Sequence, residues 1–154
     1  MLARIRREIK VAAPARTVWE YVTDWPRQGE WIPMTTVESL GSPHQVGGRF
    51  RAWTGLGPVG FWDPMTITAW EVVDDGSGRC EVLHTGAVVR GVAVFAVVAH
   101  TETTCTFVWE ERIAVPAGYL GAAAWKLVGP LVSQAFRLTL RRMAARAEAL
   151  HADR

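Results

Sequence analysis

The chain has 154 residues, of which 49% are hydrophobic and 21% are charged, a composition typical of one folded domain and unlike that of a disordered chain. The net charge is only +2, which argues against nucleic acid as a partner, because phosphate binding needs a concentrated basic face. The first residues lack the apolar segment of a signal peptide, and no run of about 18 uncharged apolar residues occurs, so we expect a cytoplasmic protein without an integral membrane segment.

The first predicted elements are one strand and two short helices. Residues 4–11 roughly alternate between charged and apolar side chains, which is typical of a half-buried strand. Pro14 suits the first turn of a helix, and residues 24–26 end that helix. A second short helix is predicted from Pro26 to about Trp31, before Pro33.

Six further strands are predicted in the middle of the chain, at residues 35–41, 49–54, 61–73, 79–85, 88–100 and 105–115. Residues 55–60 (Gly-Leu-Gly-Pro-Val-Gly) predict a loop with apolar tips, and residues 74–78 predict a hairpin turn. Consecutive hairpins favour antiparallel pairing. A twisted sheet of six or seven strands curls, so we expect a curved antiparallel sheet. Residues 116–118 are predicted to end the sheet region.

The last predicted element is an amphipathic helix. From Tyr119 the apolar period becomes helical, and Gly129-Pro130 predicts a break or a restart. About five further turns then place apolar residues on one face and Arg137 and Arg141 on another. One long helix over an antiparallel sheet is an α+β architecture, and the space between a curled sheet and its helix is where ligand cavities form.

This order of elements, with three short motifs, resembles the START-like helix-grip superfamily. The motifs are Ala13-Pro14-Ala15-x-x-Val18-Trp19, Val46–Phe50 and Thr106–Glu111, and the closest branch is the polyketide cyclase/dehydrase and lipid-transport proteins. The resemblance covers nearly the whole chain and implies a single ligand-binding domain over residues 1–154. It also implies a helix-grip fold, in which a six- to seven-stranded curved sheet wraps around the C-terminal helix, and a deep pocket with residues 55–60 near its mouth. Function must still be argued from the site.

The predicted pocket lining combines inward strand positions, which recur at every second residue, with one face of the helix. Aromatic residues are prominent because the chain has eight tryptophans, a residue type that suits both cores and ligand cavities. The predicted ligand-binding residues are Trp53, Met65, Ile67, His84, Phe95, Phe107, Trp109, Glu111, Trp125, Val128, Val132 and Phe136.

Three polar residues are candidate catalytic groups: His84, Glu111 and Arg51. Glu111 shares a strand face with Phe107 and Trp109, so it is a candidate anchor or general acid for a ligand oxygen, unless it meets water or an arginine at the strand end. His84 titrates near neutral pH and is either an acid–base group or a structural residue. Arg51 can take part in catalysis only if its side chain points into the pocket.

Two further charged residues leave alternatives open. Arg90 interrupts an apolar run, and an arginine inside the sheet would need a carboxylate such as Glu111 or Asp63, whereas an outward Arg90 needs none. For Asp63 itself, a cap of a turn before Pro64 is favoured over a catalytic role. The two cysteines have no metal-ligand spacing and lie in predicted strands, so we expect buried free thiols and neither a metal nor a cofactor.

The sequence supports three hypotheses of function. The first is a non-catalytic binder or carrier of a small hydrophobic molecule such as a lipid or polyketide. The second is a cyclase/dehydratase-type enzyme, although the strand matching the family's pocket arginine reads Met65-Thr66-Ile67-Thr68. The third is a protein-interaction module, which needs an exposed apolar patch. The expected partner is a small hydrophobic ligand, and we expect a monomer or a weak homodimer.

Overall fold

A computed structural model describes residues 1–115 and 118–154, with its elements in the predicted order. Pro116 and Ala117, where the end of the sheet region is predicted, lie outside the described residues. The elements are β1 (Leu2–Val11), α1 (Ala15–Thr23), a 3-10 helix (Trp25–Glu30), β2 (Thr35–Leu40), β3 (Arg49–Leu56), β4 (Val59–Val72), β5 (Gly78–Thr85), β6 (Arg90–Thr101), β7 (Thr104–Ala114) and α2 (Gly118–Ala152).

The strands form one antiparallel sheet in the order β1-β7-β6-β5-β4-β3-β2. From β2 to β7 each strand pairs with the next along the chain, and β1 pairs with β7 at one edge of the sheet. The register shifts between Ile67 and Ala69 in β4 and between Ala99 and Thr101 in β6, and such bulges bend a strand and increase its twist. The predicted α+β architecture, a curved antiparallel sheet with a long C-terminal helix, is therefore confirmed.

The hairpin between β3 and β4 is shorter than the sequence predicts. Instead of a loop over residues 55–60, β3 continues to Leu56 and β4 begins at Val59. Gly55 and Gly60 pair across the two strands, and a Cβ on Gly55 would lie 2.3 Å from the carbonyl oxygen of Val59. Because neither glycine carries a side chain, the strands approach closely and their pairing reaches the tip.

The predicted break at Gly129-Pro130 is wrong, since α2 is one continuous helix with Pro130 inside it. Proline removes one N–H from the helical ladder, but Pro130 is exposed, so water can satisfy the carbonyl oxygen that loses this partner. The two halves of α2 differ in burial. Its buried residues all lie in the C-terminal half: Thr139, Leu140, Met143, Ala144 and Ala147.

The interior between the sheet and the helices is occupied by packed aromatic rings. Trp25 stacks on Phe50 with 4.1 Å between ring centroids. Trp31 meets Phe107 and Trp109 edge-on at 6.1 and 5.6 Å. Trp25 and Trp31 are fully buried and come from the 3-10 helix and its end, so this short segment fills the concave side of the sheet.

Candidate functional site

The site is a cluster of three buried ionisable side chains on the concave face of the sheet. Asp63 comes from β4, His84 from β5 and Glu111 from β7. Their neighbours two residues along each strand, Met65, Val82 and Trp109, are buried as well. The three polar residues therefore occupy inward positions that the strand period assigns to the core.

Strand β6 lies between β5 and β7, and its small residues let the cluster form. Gly91 pairs with His84, and Ala93 pairs with Glu111. With no large side chain from β6 between them, the imidazole and the carboxylate meet across that strand. Glycine is required at position 91, where φ is +150° and a Cβ would lie 2.0 Å from the carbonyl oxygen of Arg112.

The cluster is closely hydrogen-bonded. His84 Nδ1 lies 2.8 Å from Asp63 Oδ2, and His84 Nε2 lies 3.2 Å from Glu111 Oε2. Trp109 Nε1 donates to Glu111 Oε1 at 2.9 Å. Side-chain exposure is 6% for His84 and for Glu111 and 11% for Asp63, so bulk water screens these contacts little.

These contacts decide the charge of His84. Burial alone lowers the pKa of a histidine, but here the hydrogen bonds and charges of Asp63 and Glu111 outweigh burial and raise the pKa of His84 to about 10. The imidazole is therefore protonated at neutral pH, and both ring nitrogens donate to carboxylates.

Two buried polar atoms at the concave face make no hydrogen bond to any described residue. They are Asp63 Oδ1, an acceptor, and Trp31 Nε1, a donor. Buried polar atoms are paired in the great majority of cases, so each marks a place where a bound molecule can supply a partner. The cluster does not suit a metal ion, because the imidazole lies between the two carboxylates and their oxygens do not converge; no metal-binding group occurs among the described residues.

A family model with the description polyketide cyclase/dehydrase and lipid transport matches residues 3–148. The chain belongs to this family. No curated protein sequence matches the chain.

Solved structures share the fold of this polyketide cyclase/dehydrase family member at low sequence identity. The Zhui aromatase/cyclase from a Streptomyces species is 18% identical with a TM-score of 0.71, over 96% of this chain and 94% of that one. A protein of Thermus thermophilus is 15% identical with a TM-score of 0.75, over 96% and 99%. A START superfamily protein of Mycobacterium smegmatis is 14% identical with a TM-score of 0.64, over 97% of both chains. These likenesses establish the fold.

The cluster brings together two of the three predicted catalytic candidates and excludes the third. Arg51 lies on the outer face of the sheet, where it pairs with Glu38 at 2.8 Å and its guanidinium carbon lies 4.2 Å from the centre of the Trp62 ring. The strand alternation explains this, because Phe50 and Ala52 on either side of Arg51 are buried. Trp53 shares the outer face with Trp62, so its predicted place in the pocket lining is wrong.

The surroundings of two other charged residues correct the prediction for Asp63 and decide between the two alternatives for Arg90. Asp63 does not cap a turn, because it lies inside β4 and accepts a hydrogen bond from His84. Arg90 is exposed and donates to the carbonyl oxygen of Gly86. The cation that accompanies the two buried carboxylates is therefore a histidine and not an arginine.

The remaining predicted lining residues divide into a buried and a peripheral group. Met65, Ile67, Phe95, Phe107 and Trp109 are buried in the concave core, and Phe136 covers Trp109 with 4.5 Å between ring centroids. Trp125 and Val132 are half-buried and Val128 is 48% exposed, all in the N-terminal half of α2. Sequence reasoning missed Trp31 as a member of the site; the available signal was a tryptophan at the predicted end of a short helix.

The two cysteines are free and buried, as predicted. Burial raises the pKa of the Cys80 thiol to about 12 and that of Cys105 to about 11, so neither is a ready nucleophile. Among the described residues, neither helix is long and apolar enough to cross a membrane.

Proposed function

We propose that this protein binds a small, mostly apolar molecule carrying a hydrogen-bond donor between the sheet and α2, where displacement of Phe136 from Trp109 makes room for it. The observation that carries the proposal is the buried cluster of Asp63, His84 and Glu111, which leaves Asp63 Oδ1 without a partner. A ligand hydroxyl or N–H would pair with this oxygen. A ligand carbonyl would accept from Trp31 Nε1.

Stability alone gives little reason to keep such a cluster. Replacing a buried ion pair by packed apolar residues is often neutral or stabilising, and strongly perturbed titratable groups occur preferentially at functional sites. The surroundings of the cluster are apolar and fit the rest of the ligand. The ring centroid of Phe95 lies 5.5 Å from that of Trp109 and 6.4 Å from that of Phe107.

Access to the cluster is proposed from the α2 side. No residue from 118 to 138 is buried, so this half of α2 has few core contacts to lose, and segments with few buried contacts open at low free-energy cost. Phe136 is the ring of this segment that contacts Trp109. A ligand that displaces Phe136 would take its place against the Trp109 indole.

The experiment is titration with N-phenyl-1-naphthylamine, a neutral apolar dye with one N–H donor, followed by dye fluorescence and by quenching of tryptophan emission. We expect saturable binding of one dye per chain. Asp63→Asn turns the free acceptor into a donor and should weaken binding about tenfold, the usual loss for a hydrogen bond to a charged group. Asp75→Asn, in an exposed turn, is the matched control.

A second pair of variants tests the position of the dye. Phe136→Ala should change dye affinity, whereas Leu138→Ala should not, because Phe136 contacts Trp109 and Leu138 is 55% exposed. Thermal melting of each variant separates a local effect from unfolding. Absence of dye binding by the wild type, or equal binding by folded Asp63→Asn, would contradict the proposal.

A cyclase/dehydratase-type activity is the second candidate, favoured by the convergence of His84 and Glu111 within 3.2 Å. A dehydration needs a base that removes a proton and an acid that protonates the leaving hydroxyl. Asp63 Oδ1 has the free lone pair for the first role, and the His84 imidazolium has the proton for the second. Because both N–H groups of His84 are held by carboxylates, binding is the function that the resting geometry supports better.

A further inference from the structure

The outer face of α2 carries a row of exposed leucines. Leu120, Leu127, Leu131 and Leu138 follow one another at intervals of seven, four and seven residues, which places them on one side of the helix. They are 80%, 79%, 71% and 55% exposed. This leucine stripe lies opposite the side on which Phe136 contacts the core. Soluble monomers rarely expose a contiguous apolar patch of this kind unless it binds something.

The charge around the leucine stripe has a single sign. Residues 112–147 contain no Asp or Glu. Within α2 this stretch carries five cations, Lys126, Arg137, Arg141, Arg142 and Arg146. None of the five is in an ion pair with a described carboxylate. The stripe is therefore bordered by cations that form no ion pair among the described residues.

The positive surface continues from α2 onto the neighbouring edge strand. A cleft of about 660 Å³ separates β1 from α2, and Arg7, Arg137 and Arg141 are among its lining residues, together with Arg6 and Glu8, which pair with each other at 2.9 Å. Arg7 donates to the hydroxyl of Ser133 and makes no ion pair among the described residues. Three guanidinium groups thus lie around a cleft open to solvent, beside the leucine stripe.

A row of leucines bordered by lysine and arginine is the pattern of a helix that lies in the surface of an anionic membrane. The leucines enter the boundary between headgroups and acyl chains, and the cations meet lipid phosphates. A second copy of the chain fits less well, because packing two leucine stripes together brings two sets of α2 cations together, and residues 112–147 offer no acidic residue to pair them. We propose that the leucine stripe of α2 docks this protein on a bilayer rich in anionic phospholipid, with Arg7, Arg137 and Arg141 binding headgroup phosphates.

The proposal concerns the outer face of α2 and is independent of the ligand proposed for the interior. The test is co-sedimentation of the full chain with vesicles of phosphatidylcholine alone and of phosphatidylcholine mixed with phosphatidylglycerol. We expect binding to the mixed vesicles only, weakening as salt is added. Leu127→Ser and Leu131→Ser together should lower the partition coefficient by on the order of a hundredfold, since each removes a leucine side chain that would be buried in the bilayer.

Arg137→Gln and Arg141→Gln should each weaken vesicle binding roughly fivefold, the loss for one cation near an anionic surface. The matched controls are Leu83→Ser and Arg49→Gln, both exposed on the outer face of the sheet, and they should bind as the wild type does. Dye binding in the interior should persist in all of these variants, which separates a failure of membrane docking from a failure of ligand binding.

Three results would overturn the proposal. One is absence of binding to phosphatidylglycerol vesicles, and another is equal binding to both kinds of vesicle. The third is a dimer in sedimentation equilibrium that Leu127→Ser with Leu131→Ser converts to a monomer, because the leucine stripe would then be covered by a second copy.

Discussion

Removing the cation from the buried cluster should change both the stability of the protein and its dependence on pH. In His84→Gln the carboxylates of Asp63 and Glu111 stay buried without a positive partner. Removing one partner of a buried ion pair lowers the free energy of unfolding by about 3–5 kcal/mol. This is a large part of the roughly 5–15 kcal/mol by which a folded domain is stable. For a chain of this size the melting temperature should fall by roughly 10 °C or more.

The pH dependence follows from the pKa of His84, which is raised from 6.5 to about 10 in the folded protein. A group whose pKa is raised by folding contributes its full stabilisation at pH values below its pKa in the unfolded chain. This contribution is lost as the pH rises through its pKa in the folded protein. Wild-type stability should therefore decrease between about pH 6.5 and pH 10. In His84→Gln this decrease in the free energy of unfolding should disappear, because the group that titrates over this range is absent.

Urea unfolding followed by tryptophan fluorescence at several pH values gives both quantities. His100→Gln is the matched control, since His100 is exposed and bonds only to Thr106 among the described residues. It should keep the wild-type stability and pH profile. If His84→Gln unfolds at the wild-type urea concentration, or keeps the wild-type slope above pH 6.5, the assignment of His84 as the cation of the cluster is refuted.

Three further predictions use other parts of the site. Trp109→Phe removes the donor to Glu111 Oε1 and should cost about 1–3 kcal/mol in urea unfolding, while Trp53→Phe on the outer face should cost under about 0.5 kcal/mol. Gly91→Ala should lower the free energy of unfolding by about 3 kcal/mol or more, because its Cβ meets the carbonyl oxygen of Arg112. Gly57→Ala, with open space around it, should lower it by about 1–2 kcal/mol. Arg51→Gln should leave dye affinity unchanged, and a weakened affinity would place Arg51 in the interior after all.

The fold could be predicted because its signals are local. Alternation marked the strands, the turn at residues 74–78 fixed one hairpin, and a change of period at Tyr119 marked the helix. The errors arose where a single residue type was given too much weight. Gly129-Pro130 predicts a break or a restart of the helix, although a long helix can contain an exposed proline when water satisfies the carbonyl oxygen that loses its N–H partner. The glycines of residues 55–60 predicted a loop, although paired glycines also let two strands continue to a tight turn.

The site could be predicted only in part, because it depends on which strands are neighbours. The strand period placed Glu111 and His84 on inward faces, and both proved to be buried. Their contact requires β6 between them and Gly91 and Ala93 on that strand, which no local pattern reveals. Asp63 was misassigned because the following proline suggested a turn, whereas Pro64 lies within β4 and the aspartate beside it faces the core.

The outer faces of the two halves of α2 differ in polarity. Outward positions in the C-terminal half include Arg142 and Arg146, which water solvates. Those of the N-terminal half include the four leucines of the leucine stripe, and a helix that is apolar on both sides is expected to be covered. If a bilayer provides that cover, the free chain gains no stability from Leu127 and Leu131, and replacing both by serine should leave the melting temperature of the free chain within a few degrees of the wild type. Leu140→Ala, at a position 1% exposed, should lower it by roughly 10 °C. A loss of the same size in the serine variant would mean that the leucines are already packed in the free chain, and the bilayer would not be their partner.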